Sequence, residues 1–324
     1  MAPSVEVEES QAVKRPLVTS RQVRGFGREA QEMIDITPGL VAYNLGYLAL
    51  VWGAAVGSIA LFWVHTAWYT FAFAFFVVSS RQQALLNCEH EAVHRKFLRS
   101  SRWNDFVGFF LCAGPVGSPF GAARARHLAH HRLLSTPEDP DRELHSGEPP
   151  KNTPMGLLRY FANGLLGGYA VMVLLGPREG TAGPSSKTAR KDLISLALCQ
   201  AVIAIGLTLS FSWWIYPVLW LLPLGSVTAL CHLIRSFTEH AITEEEAPEH
   251  SNRLITIHSN WIERGLVSPY NMNYHAEHHL VPSVPAPRLK QLRERLSARP
   301  DLPPLLERAS YIGALRRYAR ALRS

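Results

Sequence analysis

The stretch ITPGLVAYNLGYLALVWGAAVGSIALFWVHTAWYTFAFAFFVVSS, Ile36–Ser80, holds no Asp, Glu, Lys or Arg in 45 residues. A helix needs about 20 apolar residues to cross a bilayer, so this window is long enough for two crossings. A second window, Leu193–Ile234, runs 42 residues without a charge and offers two more. Weak breaks at His65 to Trp68 and at Ser210 to Tyr216 divide the windows. The expected spans are therefore near 40–63, 67–87, 193–210 and 215–234. Trp63, Trp68, Trp213, Trp214 and Tyr216 sit at the breaks, where a membrane–water interface suits them. The expected fold class is an all-α integral membrane protein, with four transmembrane helices in two hairpins and a cytoplasmic helical cap.

The rest of the chain agrees. Of 324 residues, 47% are hydrophobic and only 18% charged, against about 25% charged in a soluble domain. This composition excludes an ordinary soluble enzyme, a disordered chain and a disulfide scaffold. Neither hairpin tip carries Lys or Arg, whereas Arg81, Arg95, Lys96, Arg99, Arg190, Lys191 and Arg235 flank the spans. By the positive-inside rule the tips face outward, and both termini and residues 88–191 face the cytoplasm. The acidic, polar start MAPSVEVEESQ is no signal peptide, so the first span is expected to direct insertion. The net charge of +7 fits the anionic inner face of a membrane, and no nucleic-acid recognition motif is present. The expected division is a cytoplasmic segment 1–35, a membrane domain 36–290 and a basic tail 291–324. Residues 106–120, rich in Gly and Pro, and 160–176 read as interfacial or re-entrant. An odd number of crossings there would put the histidine clusters on opposite faces.

Of 14 histidines, eight fall in three clusters: His90 and His94; His127, His130 and His131; and His275, His278 and His279. Positions i, i+3 and i+4 share one side of a helix, so each cluster aims its imidazoles one way. Clustered imidazolium charges would repel, whereas neutral imidazoles bound to a metal would not. Eight nitrogens exceed what one ion uses, which implies two ions; imidazole alone does not select the element. The four cysteines stand singly in mostly apolar surroundings and read as buried.

The motifs carry a resemblance. H-x3-H, H-x2-H-H and H-x2-H-H, in that order around two membrane hairpins, resemble the membrane fatty acid desaturase superfamily. The third motif, NMNYHAEHHLVPSVP (Asn271–Pro285), is similar to that family's N-x-x-Y-H-x-E-H-H-x-x-P-x-x-P ending. Arg235-Ser-Phe-Thr-Glu-His240 resembles its R-x-x-x-E-H segment, and Glu138-Asp-Pro-Asp141 resembles the residues just past its second motif. The resemblance implies a di-iron enzyme that applies O2 and external electrons to the C–H bonds of an acyl or lipid chain taken from the bilayer. It also implies His240 as a ninth ligand. Ser236 stands where members acting on acyl-CoA often carry Asn. No H-P-G-G haem motif occurs, so a separate donor such as a ferredoxin or b-type cytochrome is expected.

Around these ligands, Glu89, Glu91, Asp139, Asp141, Glu239 and Glu277 are expected to orient imidazole N–H groups, with Arg235 and Asn273 as further residues of that outer layer. Trp103, Phe106, Phe109 and Phe110 are candidate liners of a substrate tunnel. His65 reads as interfacial, His232 as core, and His145, His250 and His258 as surface or outer residues, and loss of His145 or His250 is expected to spare most activity. Two alternatives remain at this point. One is a lipid or carotenoid-type hydroxylase or ketolase on the same scaffold. The other is a zinc peptidase, because His90-Glu91-Ala92-Val93-His94 is also H-E-x-x-H.

Overall fold

The computed structural model describes residues 32–169, 171, 185–247, 249–250, 253–300 and 305–323. The N-terminal basic residues Lys14 to Arg28 lie outside the described residues. So do 172–176 of the second interfacial stretch and most of the loop beyond it.

The first helix, α1 (Pro38–Val64), starts where Thr37 accepts the Leu40 N–H and proline takes the first helical position. It ends at His65, and α2 (Trp68–Val93) returns alongside it. Next come α3 (Ser101–Val107), a π-helical and 3-10 stretch over Gly108–Val116, and α4 (Phe120–Leu133). Two short helices come after it, α5 (Arg142–His145) and α6 (Pro154–Leu165), and then the long α7 (Ser186–Ser210). The chain continues through π-helical turns at Pro217–Leu221 and Leu224–Thr228 into α8 (Ala229–Thr238). The remaining elements are β1 (Ile255–Ile257), α9 (Trp261–Leu266), α10 (His275–Leu280), α11 (Leu289–Ser297), β2 (Leu306–Arg308) and α12 (Tyr311–Ala321).

Among the described residues, three helical stretches are long and apolar enough to cross a membrane: Glu32–Val64, Ser186–Ser210 and Pro217–Thr238. Ser101–Val116 and Phe120–Leu133 pass the same test only as a pair, folded on each other by 98°. The helix carrying the expected second crossing, α2, is apolar only as far as Val78. Beyond it Ser79, Ser80, Gln82, Gln83 and Asn87 are buried. Their amides point into protein: Gln82 donates to the Trp220 carbonyl at 2.7 Å, Gln83 to Val267 at 3.2 Å and Asn87 to Pro269 at 2.7 Å. Facing lipid, the same groups would lack partners.

The bent pair satisfies its freed backbone in the same way. The carbonyls of Leu111, Gly114 and Pro115 accept from Trp52, Gln200 and Trp220 at 2.7–3.2 Å. Two glycines permit the bend. A Cβ at Gly114 would stand 2.6 Å from Cys199 Sγ, and Gly117 adopts φ +71°. The fold-back sets α4 against α7, where buried Asp192 accepts the Gly121 and Ala122 N–H groups at 2.7 and 3.1 Å. Asp192 therefore caps the helix that carries the second histidine cluster. Asp192→Ala strips both N–H groups of their partner, and we expect it to lower stability by about 2 kcal/mol. A thermal-unfolding shift in detergent measures this.

An all-α fold was expected, and among the described residues the structure adds one parallel two-stranded sheet. Ile255, Thr256 and Ile257 pair with Leu306, Glu307 and Arg308. This pairing ties the segment after 290 to the chain that follows α8. In that segment Leu292 and Leu296 bury against the same core as Leu48, Val51 and Leu85. All four cysteines are free and buried.

Candidate metal centre

The three clusters lie on helices: His90 and His94 at the end of α2, His127 to His131 in the last two turns of α4, and His275 to His279 along α10. Two consecutive left-handed residues, Tyr270 (φ 65°) and Asn271 (φ 61°), aim α10. That conformation is uncommon for Tyr. Its hydroxyl donates to Asn44 Oδ1 of α1, while Asn44 Nδ2 donates to the Phe97 carbonyl at 2.8 Å. A polar residue in the first span thus joins the ends of the first and third clusters.

Nine imidazoles converge in two adjoining groups. His90, His94, His127, His131 and His278 form one; His130, His240, His275 and His279 form the other. Within each group the offered nitrogens lie within 4.8 Å of one another. Neighbouring residues divide between the groups, His130 from His131 and His278 from His279. The i, i+3, i+4 spacing therefore serves two sites rather than one face. The rings of His131 and His279 stack at 4.1 Å where the groups meet.

The donor set fits metal ions. His127 Nε2 lies 2.9 Å from His94 Nε2 and 2.8 Å from His131 Nε2, and His131 Nε2 lies 3.0 Å from His278 Nε2. In the second group His275 Nε2 is 2.9 Å from His240 Nε2 and 3.0 Å from His279 Nε2. A ring nitrogen has one proton or one lone pair, so hydrogen bonds cannot satisfy such chains, whereas a central cation can. At a metal–nitrogen distance of about 2.1 Å, nitrogens at right angles lie about 3.0 Å apart and tetrahedral ones about 3.4 Å. The spacing matches the former. Burial pushes His94 down to about 4, with Arg124 and Lys96 adding to the effect. Burial likewise holds His240, His275, His278 and His279 well below the usual imidazole range. All five are thus neutral at pH 7, with a nitrogen lone pair free to bind a metal.

The outer residues divide. Asp139 Oδ1 accepts from His130 Nδ1 at 2.9 Å, and the Arg253 carbonyl accepts from His240 Nδ1 at 2.9 Å. Glu239 Oε2 stands 3.3 Å from His275 Nδ1, close but not aligned for a hydrogen bond. Glu239 itself accepts from Tyr311 Oη at 2.8 Å and Arg235 Nε at 3.1 Å. Asp141 pairs with Arg126 and lies 3.9 Å from His130 Nδ1. The others bond to the scaffold rather than to imidazoles: Glu89 to Ser118, Glu91 to the Ala286 N–H, Glu277 to Thr256 and Asn273 to the Ile257 carbonyl.

The four aromatic candidates do not share one lining. Trp103 and Phe106 are exposed, at 59% and 44%. Phe109 is buried and carries Lys191 Nζ 4.0 Å over its ring. Only Phe109 borders the cleft of about 380 Å³ between Asp105, Arg124, Leu128 and Lys191.

His145, read from the sequence as a surface or outer residue, is the latter. It is buried and bonded through Nε2 to Asp139 Oδ2 at 2.9 Å. Only residues 140–144 separate it from Asp139, a turn and the start of α5, so no helical period marks the contact. His232 stands beside Tyr169 with ring centroids 5.7 Å apart. His258 pairs with Glu307 on an exposed surface.

A helical body with membrane-length apolar stretches and two adjoining imidazole groups is the architecture of a histidine-box membrane oxidoreductase. The family model described as "Fatty acid desaturase" matches residues 66–309, and the chain belongs to that family. Among curated relatives, dihydrorhizobitoxine desaturase of Bradyrhizobium elkanii is 22% identical over 251 residues, covering 72% of this chain and 69% of that protein.

Proposed function

We propose that the protein is an integral membrane di-iron desaturase that uses O2 and electrons from a separate donor to introduce a double bond into an acyl or lipid chain. The observation that carries this reading is the division of nine histidines into two adjoining groups of bare nitrogens. The two groups would each hold one iron. A pair of irons bound there supplies oxygen activation and hydrogen abstraction from an unactivated C–H bond. In balance, two electrons from the substrate and two from the donor, with two external protons, reduce O2 to two waters.

The chain's residues supply position and protection. Asp139 and the Arg253 carbonyl hold ring orientation, and burial favours the unprotonated form of His94, His240, His275, His278 and His279. The curated relative is named for dihydrorhizobitoxine rather than a fatty acid, so the substrate here is proposed only as an acyl or lipid chain. The peptidase alternative has no support in the site. Glu91, which would act as general base, is buried on the Ala286 N–H, and six further clustered histidines would lack a role.

Mass spectrometry of lipids from cells with and without the protein tests the reaction. The expected product is two mass units lighter than its precursor. A product carrying an added oxygen atom overturns desaturation in favour of hydroxylation or ketolation. We further propose that the site and both termini are cytoplasmic. Cysteines introduced at His65 and Ser210 should then label from outside, and those at Gly147, Ser185 and Ser310 from the cytoplasm. Labelling of Gly147 and Ser310 from opposite sides overturns the shared cytoplasmic site.

A further inference from the structure

We propose that His145 is a positioning residue for the second histidine group, acting through Asp139 on His130. The proposal rests on the two-metal reading above. His130 and His145 face the same carboxylate from two sides. Asp139 Oδ1 lies 2.9 Å from His130 Nδ1, and Asp139 Oδ2 lies 2.9 Å from His145 Nε2. The Asp141 N–H also donates to Asp139 Oδ1, at 2.9 Å. His130, Asp139 and His145 are 3%, 4% and 2% exposed, so water does not compete.

A carboxylate held by one imidazole can pivot about its terminal torsion. Held by two imidazoles and a backbone N–H, it cannot. The acceptor assigns the proton of His130 to Nδ1 and leaves the Nε2 lone pair among His240, His275 and His279. That group has four imidazoles where its neighbour has five, so a mis-set His130 has fewer companions to compensate. The same logic gives His145 its proton on Nε2, and its Nδ1 is then a buried bare acceptor without a partner. An apolar side chain of similar size would fill the space without that cost. Packing alone therefore does not call for an imidazole, but a second donor to Asp139 does.

The test compares wild type with His145→Leu, His145→Gln and His145→Asn as full-length protein in detergent. The readouts are iron per chain, the rate of iron release to a chelator and the Mössbauer spectrum. In the wild type we expect two irons. In His145→Leu the first iron stays, while the second binds about 10–100-fold more weakly with altered spectral parameters. Gln extends an amide to the place of the imidazole Nε2, so His145→Gln should restore both iron content and spectrum. Asn is too short and should behave like Leu; the Gln–Asn contrast carries the test if the Leu variant does not fold. Unchanged release and spectrum in Leu, or equal behaviour of Gln and Asn, overturns the positioning role while leaving two irons in the wild type. A wild type that binds fewer than two metals overturns the two-metal reading and this proposal with it.

Discussion

Replacing His240 with alanine is expected to cut metal content from two ions per chain toward one and to reduce product by more than about 100-fold. Residues outside the ligands typically cost about 10–100-fold in metal affinity or activity, and loss of a ligand should exceed that. His240 belongs to the group of four, has its Nδ1 fixed by the Arg253 carbonyl and places Nε2 2.9 Å from that of His275. No sequence cluster includes it, so its place rests on the fold and on a family-like segment. His94→Ala, His131→Ala and His278→Ala should fail in the same way, whereas His250→Ala should keep most activity. Elemental analysis and product yield on the same preparations decide this. Two irons and near-normal turnover in His240→Ala would remove His240 from the site.

Acidification of the metal-free protein should have the second large effect. His94, His240, His275, His278 and His279 are all depressed in the folded state, His94 to about 4. In the unfolded chain they take protons near pH 6.5. Below that pH the unfolded state binds more protons than the folded one, so stability is present above about 6.5 and is lost as pH falls toward the folded values. Each neutral imidazole contributes up to about 1.4 kcal/mol per pH unit, and five together reach about 7 kcal/mol per unit. A domain has only about 5–15 kcal/mol in total, so unfolding should set in within one or two units below pH 6.5. Thermal midpoints of chelator-stripped protein between pH 7.5 and 5 measure it. A flat profile across that range would show that the imidazoles are not buried and neutral without metal.

The helical architecture with membrane-length apolar stretches, the family and the eight clustered histidines were all legible in the chain before folding, because their signals are local. A long uncharged run can satisfy itself only as helix in lipid, and i, i+3, i+4 histidines share a side whatever surrounds them. The division of the nine imidazoles into five and four was not legible there. Adjacent residues such as His130 and His131 belong to different groups, and that depends on where α2, α4, α8 and α10 meet. The roles of the polar residues are likewise a product of packing. Glu91 and Glu277 lie beside ligands in sequence yet bond to Ala286 and Thr256, because a helix turns neighbouring side chains about 100° apart. The short strands depend on pairing about 50 residues apart, which no local pattern announces. His145 meets Asp139 only once the chain has turned back on itself. Buried donors and acceptors must find partners, but which partners they find is settled by the packed fold.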